Sequence, residues 1–470
     1  MKGYVVLISI VAALGGLLFG FDTAVISGTI NFIQPYFGLS EAGLGWTVSS
    51  LLFGCIAGVI IAGKAGDLYG RKKVLMLAAL LFFVSAIGSA TANELFIFVV
   101  SRVLGGIAVG IASILSPMYI AELSPAKYRG ALVSLNQLAI VVGILIAFFS
   151  NYLLVNTGEN NWRFMLLVMA APAVLLFFSL FFVPESPRWL AAQGRHSESL
   201  RVLIKTSGTE NAENELFEIV ETLDVLEESY YLDLLEPKIR PLLFIGIILA
   251  VFQQITGINT IMYYAPKIFA NVGQSNNSAL LQTILIGGTN LIFTIVAMVM
   301  IDRFGRKKLI LIGSAGMTIM LAGLSFLYFT KQTTGIMVLL FILGYIAFFA
   351  ASLGPALWVV ATELFPNRLR SKGMSVAIVA LWSSCAIVTI TFPVMLEKLS
   401  GGITFLIFAI ICLANLLYVW QYVPETKGKT LEELEYEFSK DTELPVVKSP
   451  VVKSRKPKSR RLKKRGKNLK

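Results

Sequence analysis

Charge is scarce in this chain: Asp, Glu, Lys and Arg make up only 14% of 470 residues, against 56% hydrophobic. So thin a polar complement cannot clothe a soluble protein of this length, and a mean hydropathy of +0.76 places the chain among polytopic membrane proteins. Cysteine is nearly absent too. The three present, Cys55, Cys385 and Cys412, all fall inside apolar runs, which implies small buried thiols and neither a disulfide framework nor a metal site. The one histidine, His196, lies in a polar stretch, so a histidine proton relay inside the membrane is excluded. No nucleophile, metal or phosphate motif is present, and enzymatic function is not expected.

Long apolar runs are what the chain has in abundance. Spans of roughly 20 residues can be placed at about 5–30, 45–66, 74–92, 95–121, 130–153, 163–183, 242–270, 279–301, 308–330, 335–361, 372–397 and 402–423. The start MKGYVV runs into the first span without a small-residue cleavage site, so that span reads as a retained helix. A polar connection at 185–240, acidic in its middle and patterned like short amphipathic helices, separates two sets of six spans. The expected fold is therefore an all-α membrane protein of twelve transmembrane helices in two six-helix bundles. Its segments are 1–185 for the first bundle, 186–240 for linker helices, 241–430 for the second bundle and 431–470 for a basic tail.

The net charge of +12 is all tail: residues 448–470 hold 12 of the 40 bases and no acid, leaving 28 bases against 28 acids. On a membrane-tethered chain this run reads as a solvated segment held near anionic lipid headgroups, not as a nucleic-acid site. Among short connections, those after spans 2, 4, 8 and 10 carry 13 bases and those on the opposite side carry four, Arg163, Lys267, Lys331 and Lys398. That bias puts both termini in the cytoplasm.

The halves repeat. Asp67 in GKAGDLYGRKK answers Asp302 in MVMIDRFGRKK, Glu122 in YIAELSPAKYRG answers Glu363 in VATELFPNRLRSKG, and Pro184-Glu185 answers Pro424-Glu425, at offsets of 235, 241 and 240 residues. Parallel six-helix repeats imply two similar bundles facing each other across a central cavity, a geometry suited to alternating access.

Within this frame Asp22 stands out, an acid in the middle of the apolar run LGGLLFGFDTAVISGTI. An ionisable group at bilayer depth is expensive and by default functional, with a partner. Arg102 lies at comparable depth, because the first span runs outward to Asp22 and the fourth runs inward from Asn93-Glu94. Low dielectric opposes charge on such a carboxyl while a facing guanidinium favours it, so modest movements switch its protonation. The alternative is a static pair that fixes helix packing. A second, uncharged set comprises Gln137, Gln253, Gln254, Asn259 and Asn290. Amides both donate and accept, which suits a neutral polyhydroxylated solute, although any one buried amide also serves as interhelical glue. Gly257 and Pro266 weaken the seventh span there and allow the discontinuity that transporters use at binding sites.

The strings GGLLFGFDTAVISG, GRKK after the second and eighth spans, PESPRWL, FQQITGINTIMYYAP and VPETKG resemble the sugar porter family of the major facilitator superfamily, over roughly residues 10–430. The resemblance implies the major facilitator fold and proton-coupled symport of a neutral monosaccharide, with Asp22 and Arg102 at the positions of the coupling pair. It places Phe19, Tyr263, Trp358 and Trp382 at sugar-contacting positions and Tyr264 at the outer gate. It also assigns Asp67, Arg71, Glu122, Arg129 and Glu185 in one half, and Asp302, Arg306, Glu363, Arg370 and Glu425 in the other, to a cytoplasmic charge network closing the outward-facing state; plain topology-setting charges are the alternative. Leu381 departs from the family, where many relatives place Asn or Gln, and removes one hydroxyl contact. No cofactor beyond the coupling proton is implied. The expected protein is a monomer in the cell membrane, its partners sugar, proton and lipid. A facilitative uniporter, a polyol or inositol symporter and a sugar sensor remain the alternatives.

Overall fold

The computed structural model describes residues 3–125, 128–225, 230–237, 239–333, 336–365, 369–425 and 427. The basic tail at 431–470 and the side chain of Asp302 lie outside the described residues. The described chain is helical, with no strand. The first half runs α1 (Gly3–Tyr36), α2 (Glu41–Tyr69), α3 (Arg71–Thr91), α4 (Leu95–Leu123), α5 (Arg129–Leu154), then α6 (Asn161–Leu167) and α7 (Ala170–Ser179), which together make a sixth span. Three short helices form the linker: α8 (Pro187–Ala192), α9 (His196–Thr206) and α10 (Thr209–Val225). The second half runs α11 (Arg240–Ile255), α12 (Ile258–Asn271), α13 (Asn276–Phe304), α14 (Arg306–Phe329), α15 (Met337–Ala350), α16 (Leu353–Leu364) and α17 (Arg370–Tyr422).

Among the described residues, 11 helical stretches are long and apolar enough to cross a bilayer. The last of these holds two crossings. Its Ser400 leaves helical geometry at φ 70°, ψ 160°, and a straight helix of that length would reach roughly 75 Å, more than twice a hydrocarbon core of about 30 Å. The spans therefore number twelve, and their lipid-facing sides are apolar, as at Phe96, Phe182 and Phe326.

Local chemistry repeats with the fold. Ser40 accepts a hydrogen bond from Gly43 N–H at the start of α2, and Ser275 does the same for Ser278 at the start of α13, satisfying orphan helix donors. Glycine turns at Gly70 and Gly305 then reverse the chain into α3 and α14. Inside each bundle helices pack closely through small residues. A Cβ added at Gly106 of α4 would lie 1.9 Å from the Leu51 carbonyl oxygen of α2, so these two backbones meet directly. The halves meet along α2 with α17, α5 with α13 and α1 with α12.

Two spans are broken where the halves face each other. Gly257, at φ +93°, separates α11 from α12, while Pro266 sits inside α12 without ending it. The break between α15 and α16, at Ala351 and Ser352, is not anticipated by the apolar pattern, which reads 335–361 as one continuous span. Each break is tied to the other. The Tyr345 hydroxyl donates to the Thr256 carbonyl at 3.0 Å, and Gln253 Nε2 donates to the Leu353 and Gly354 carbonyls, both at 3.1 Å. Gly257→Val places a branched side chain at positive φ and against Phe408, whose ring lies 2.9 Å from the added Cβ. It should lower the thermal unfolding midpoint of purified protein by an amount corresponding to at least about 1 kcal/mol. An unchanged midpoint would show that the break does not need glycine.

Candidate functional site

The first six-span bundle places one acid and one base wholly out of water. Asp22 on α1 is 0% exposed and Arg102 on α4 is 1% exposed. Arg102 Nη1 donates to Asp22 Oδ1, and Nη2 donates to the Asp22 backbone oxygen at 2.9 Å. The guanidinium thus grips both the side chain and the helix that carries it. Asp22 Oδ2 is buried with no hydrogen-bond partner. Gly105, one turn along α4 from Arg102, leaves the space that this oxygen occupies: a Cβ there would lie 2.6 Å from Oδ2 and 2.4 Å from Ser85 Oγ. The arrangement holds a carboxylate by one oxygen and leaves the other able to take a proton.

Toward the other half lies an uncharged cluster. Asn259 Nδ2 donates to Gln254 Oε1 at 2.7 Å, and Gln254 Nε2 donates to Gln253 Oε1 at 3.2 Å. Gln253 spends its own donor group on the α16 carbonyls, so it anchors the chain of amides more than it faces the space between the halves. Asn259 Nδ2 also lies 3.2 Å from Cys385 Sγ, beside Tyr263, which is 4% exposed. Trp382 is 3% exposed, and its indole N–H has no partner. Its ring lies 5.6 Å from that of Phe19, so an aromatic pair from opposite halves flanks the site. An unspent indole donor, free amide capacity and ring faces are what a neutral polyol can use.

Three anticipated residues stand apart from this chain. Gln137 on α5 is partly exposed and Asn290 on α13 is buried, and neither is hydrogen-bonded to the amides. Trp358 lines an apolar crevice with Leu381, Met374 and Ile378. Leu381 thus shares this crevice with Trp358.

The linker side carries the charged residues. Arg71 pairs with Asp67 at 3.0 Å and Glu122 at 3.1 Å, and Glu122 accepts from the Ser186 hydroxyl. Glu185 accepts from the backbone N–H of Lys72 at 3.1 Å, at the N-terminus of α3, where the helix dipole favours an anion. The second half repeats this: Arg306 pairs with Glu363 at 2.9 Å, and Glu425 accepts from the Arg306 N–H at 2.9 Å. Arg129 and Arg370 stand at the starts of α5 and α17. These ion pairs run within a half.

On the opposite, far side, one ion pair among the described residues bridges the halves. Lys267 of α12 donates to Glu41 Oε1 of α2 at 2.7 Å and to Gln34 of α1 at 3.1 Å. Asn31 donates to Asn276 at 3.1 Å beside it. Beneath, Tyr264 is fully buried, its hydroxyl donating to the Thr389 carbonyl at 3.2 Å and its ring 5.3 Å from Phe392. The far side is closed. In the sequence Lys267 stands out only as one of four bases on the side with fewer of them. The signal was its place one turn beyond Tyr263, with Glu41 at the start of a span on the same side.

The family described as "Sugar (and other) transporter" matches residues 8–438. The chain belongs to that family. An arabinose-proton symporter of Bacillus subtilis is 40% identical over 439 residues, covering 92% of this chain and 95% of the relative. A D-xylose-proton symporter of Escherichia coli is 41% identical over 485 residues, covering 94% and 97%. The solved structure of the E. coli xylose transporter XylE in a partially occluded inward-open conformation superposes with a TM-score of 0.82 at 40% identity, over 92% of this chain and 100% of that one. The all-α fold, the twelve spans in two bundles and the multi-pass membrane character are thereby established. The closed far side accords with the inward-open state of that structure.

If the Lys267–Glu41 contact holds the far side shut, Lys267→Glu should shift the population toward a far-side-open form by about fivefold, the equivalent of roughly 1 kcal/mol for a partly screened pair. Hydrogen exchange at the far-side ends of α1 and α12 should rise, and the exchanged pair Glu41→Lys with Lys267→Glu should restore protection. Equal exchange in the single variant would remove the pair from the gate.

Proposed function

We propose that this protein is a proton-coupled symporter that brings a neutral monosaccharide, a pentose or hexose, into the cell by alternating access. The observation that carries the reading is the fully buried Asp22–Arg102 pair with one carboxylate oxygen unclaimed, next to a site lined by amides and aromatic rings with no charge of its own. Curated relatives named as arabinose- and xylose-proton symporters support it.

A proton arriving at Asp22 Oδ2 from the far side neutralises the carboxylate and weakens its hold on Arg102. Charge on Arg102 is then compensated less well by α1, so α1 and α4 are freed to shift. Sugar hydroxyls engage Gln254, Asn259 and the Trp382 indole N–H, with Phe19 and Tyr263 against its C–H faces. Tyr264 and the Lys267–Glu41 contact close above it. The segments at 1–185 and 241–430 rock as two bodies, breaking any linker-side contacts between them, and both cargoes leave on the linker side. A partly solvated ion pair such as Arg306–Glu363 is suited to being rearranged each cycle. The chain has no enzymatic role and needs no cofactor in this scheme. The linker side and both termini face the cytoplasm of the cell membrane, the unit is a monomer, and the tail at 431–470 rests on anionic headgroups.

Removing one member of a buried ion pair leaves the other uncompensated, so the coupling variant should be isosteric. Asp22→Asn in liposomes should abolish sugar accumulation driven by an imposed pH gradient while sparing sugar exchange between equal compartments. Accumulation that persists in this variant would refute the coupling role; a wild-type protein that equilibrates sugar but never concentrates it would be a uniporter. Gln254→Ala should weaken sugar binding about tenfold or more in calorimetry, from the loss of hydrogen bonding to a buried hydroxyl. Unchanged affinity would take Gln254 out of the site. A thermal-shift screen of pentoses, hexoses and polyols selects the cargo.

A further inference from the structure

A cavity of 630 Å³ lies outside the transport path, where the linker-side ends of α3 and the sixth span meet α8 and α9. Four cationic side chains line it: Lys72, Lys73, Arg195 and Arg201. The two acids that share the lining, Glu185 and Glu198, are already committed. Glu185 turns to the backbone N–H groups of Lys72 and Ser186, at 3.1 and 2.9 Å. Glu198 is clasped by Arg195 through two hydrogen bonds of 2.7 and 2.6 Å, which hold its carboxyl below the usual carboxylate range. Lys72 Nζ reaches the Phe181 carbonyl at 3.3 Å. Lys73 and Arg201 remain exposed at the cavity, with no acid of their own at ion-pair distance among the described residues.

The depth of the cavity says what fills it. Its cationic rim belongs to the first turn of α3 and to the linker, while its other lining includes Met76, Phe181 and Val202. Immediately beside it Phe178, Phe181 and Phe182 are 59, 55 and 81% exposed at the end of the sixth span, as are Leu77 and Leu80 along α3. An apolar track facing lipid thus runs up to an electropositive recess at the level where a bilayer has its phosphates. Basic pockets on this side of spanning helices suit phosphorylated headgroups. A soluble phosphate would use the recess but not the track.

We propose that this recess is a binding site for the headgroup of an anionic phospholipid of the inner leaflet, with Lys73 and Arg201 meeting the phosphate and the acyl chains lying along Phe178, Phe181 and Phe182. The lipid ties the linker helices α8 and α9 to the membrane-embedded end of α3. It is distinct from any contact made by the tail, which is present in every protein compared below.

The test is titration of full-length purified protein in detergent with dioleoylphosphatidylglycerol, followed by thermal shift and native mass spectrometry, against dioleoylphosphatidylcholine as the neutral control. Phosphatidylglycerol should stabilise the protein saturably and remain bound in the gas phase. Lys73→Gln with Arg201→Gln should weaken that binding by roughly tenfold or more, with sugar affinity unchanged. Lys73→Glu with Arg201→Glu should abolish it, and sugar binding by either variant reports that the fold is intact. Equal phosphatidylglycerol retention by wild type and both variants overturns the proposal. So does stabilisation of wild type by inorganic phosphate or glycerol phosphate as strong as that by the lipid, since the site would then serve a free phosphate. Equal stabilisation by phosphatidylcholine overturns it as well.

Discussion

An ion pair sealed from water sets the terms for the rest of this molecule. Neither Asp22 nor Arg102 can be charged alone where they sit, since removing one partner from a buried pair costs roughly 3–5 kcal/mol. The surroundings are built to keep them together and still leave one degree of freedom. Arg102 spends one nitrogen on the side chain and another on the backbone of α1. Gly105 clears room for the second carboxylate oxygen. In the proposed cycle a proton is the smallest change that would loosen α1 from α4; among the described residues no titratable group besides Arg102 is in hydrogen-bond contact with Asp22.

The two halves extend that logic to the whole protein. Because they repeat, each closes its own linker-side corner in the same way, an Arg at the start of one span held to a Glu at the end of another, with a second Glu capping the helix N-terminus. Within the first half the Asp22–Arg102 pair is sealed from water, whereas the far-side ion pair between the halves, Lys267–Glu41, is partly exposed and sits beside an amide pair. That contrast in strength divides rigid bodies from movable seams. The broken seventh and tenth spans, both in the second half, lie at the seam and are cross-tied by Gln253 and Tyr345, so that a shift in one broken span is carried to the backbone of the other.

Much of this was legible in the residues. Twelve apolar runs, three internal matches at nearly one offset and a lone acid at depth lead to the span count, the repeat and the Asp22–Arg102 contact, because lipid penalises every unpaired polar group. The break at Gly257 was also readable, since a glycine flanked by amides has few other uses. The break at Ser352 was not: Ala351 and Leu353 continue the hydrophobic pattern, and the first-turn carbonyls of α16 are met by Gln253, a residue a hundred positions away. The same contact explains why Gln253 serves the backbone when its composition alone suggests a place facing the cargo. Lys267 and Glu41 escaped notice because an ion pair between halves depends on register across two bundles, which no local periodicity encodes.

The central claim is that a neutral cargo moves together with one charge. Solid-supported-membrane electrophysiology on reconstituted protein reads this directly, by a jump in the concentration of a transported sugar at equal pH on both sides. The account predicts a transient inward current that scales with the sugar and disappears when the transporter is left out. Sugar uptake of the same extent with no accompanying current would contradict it.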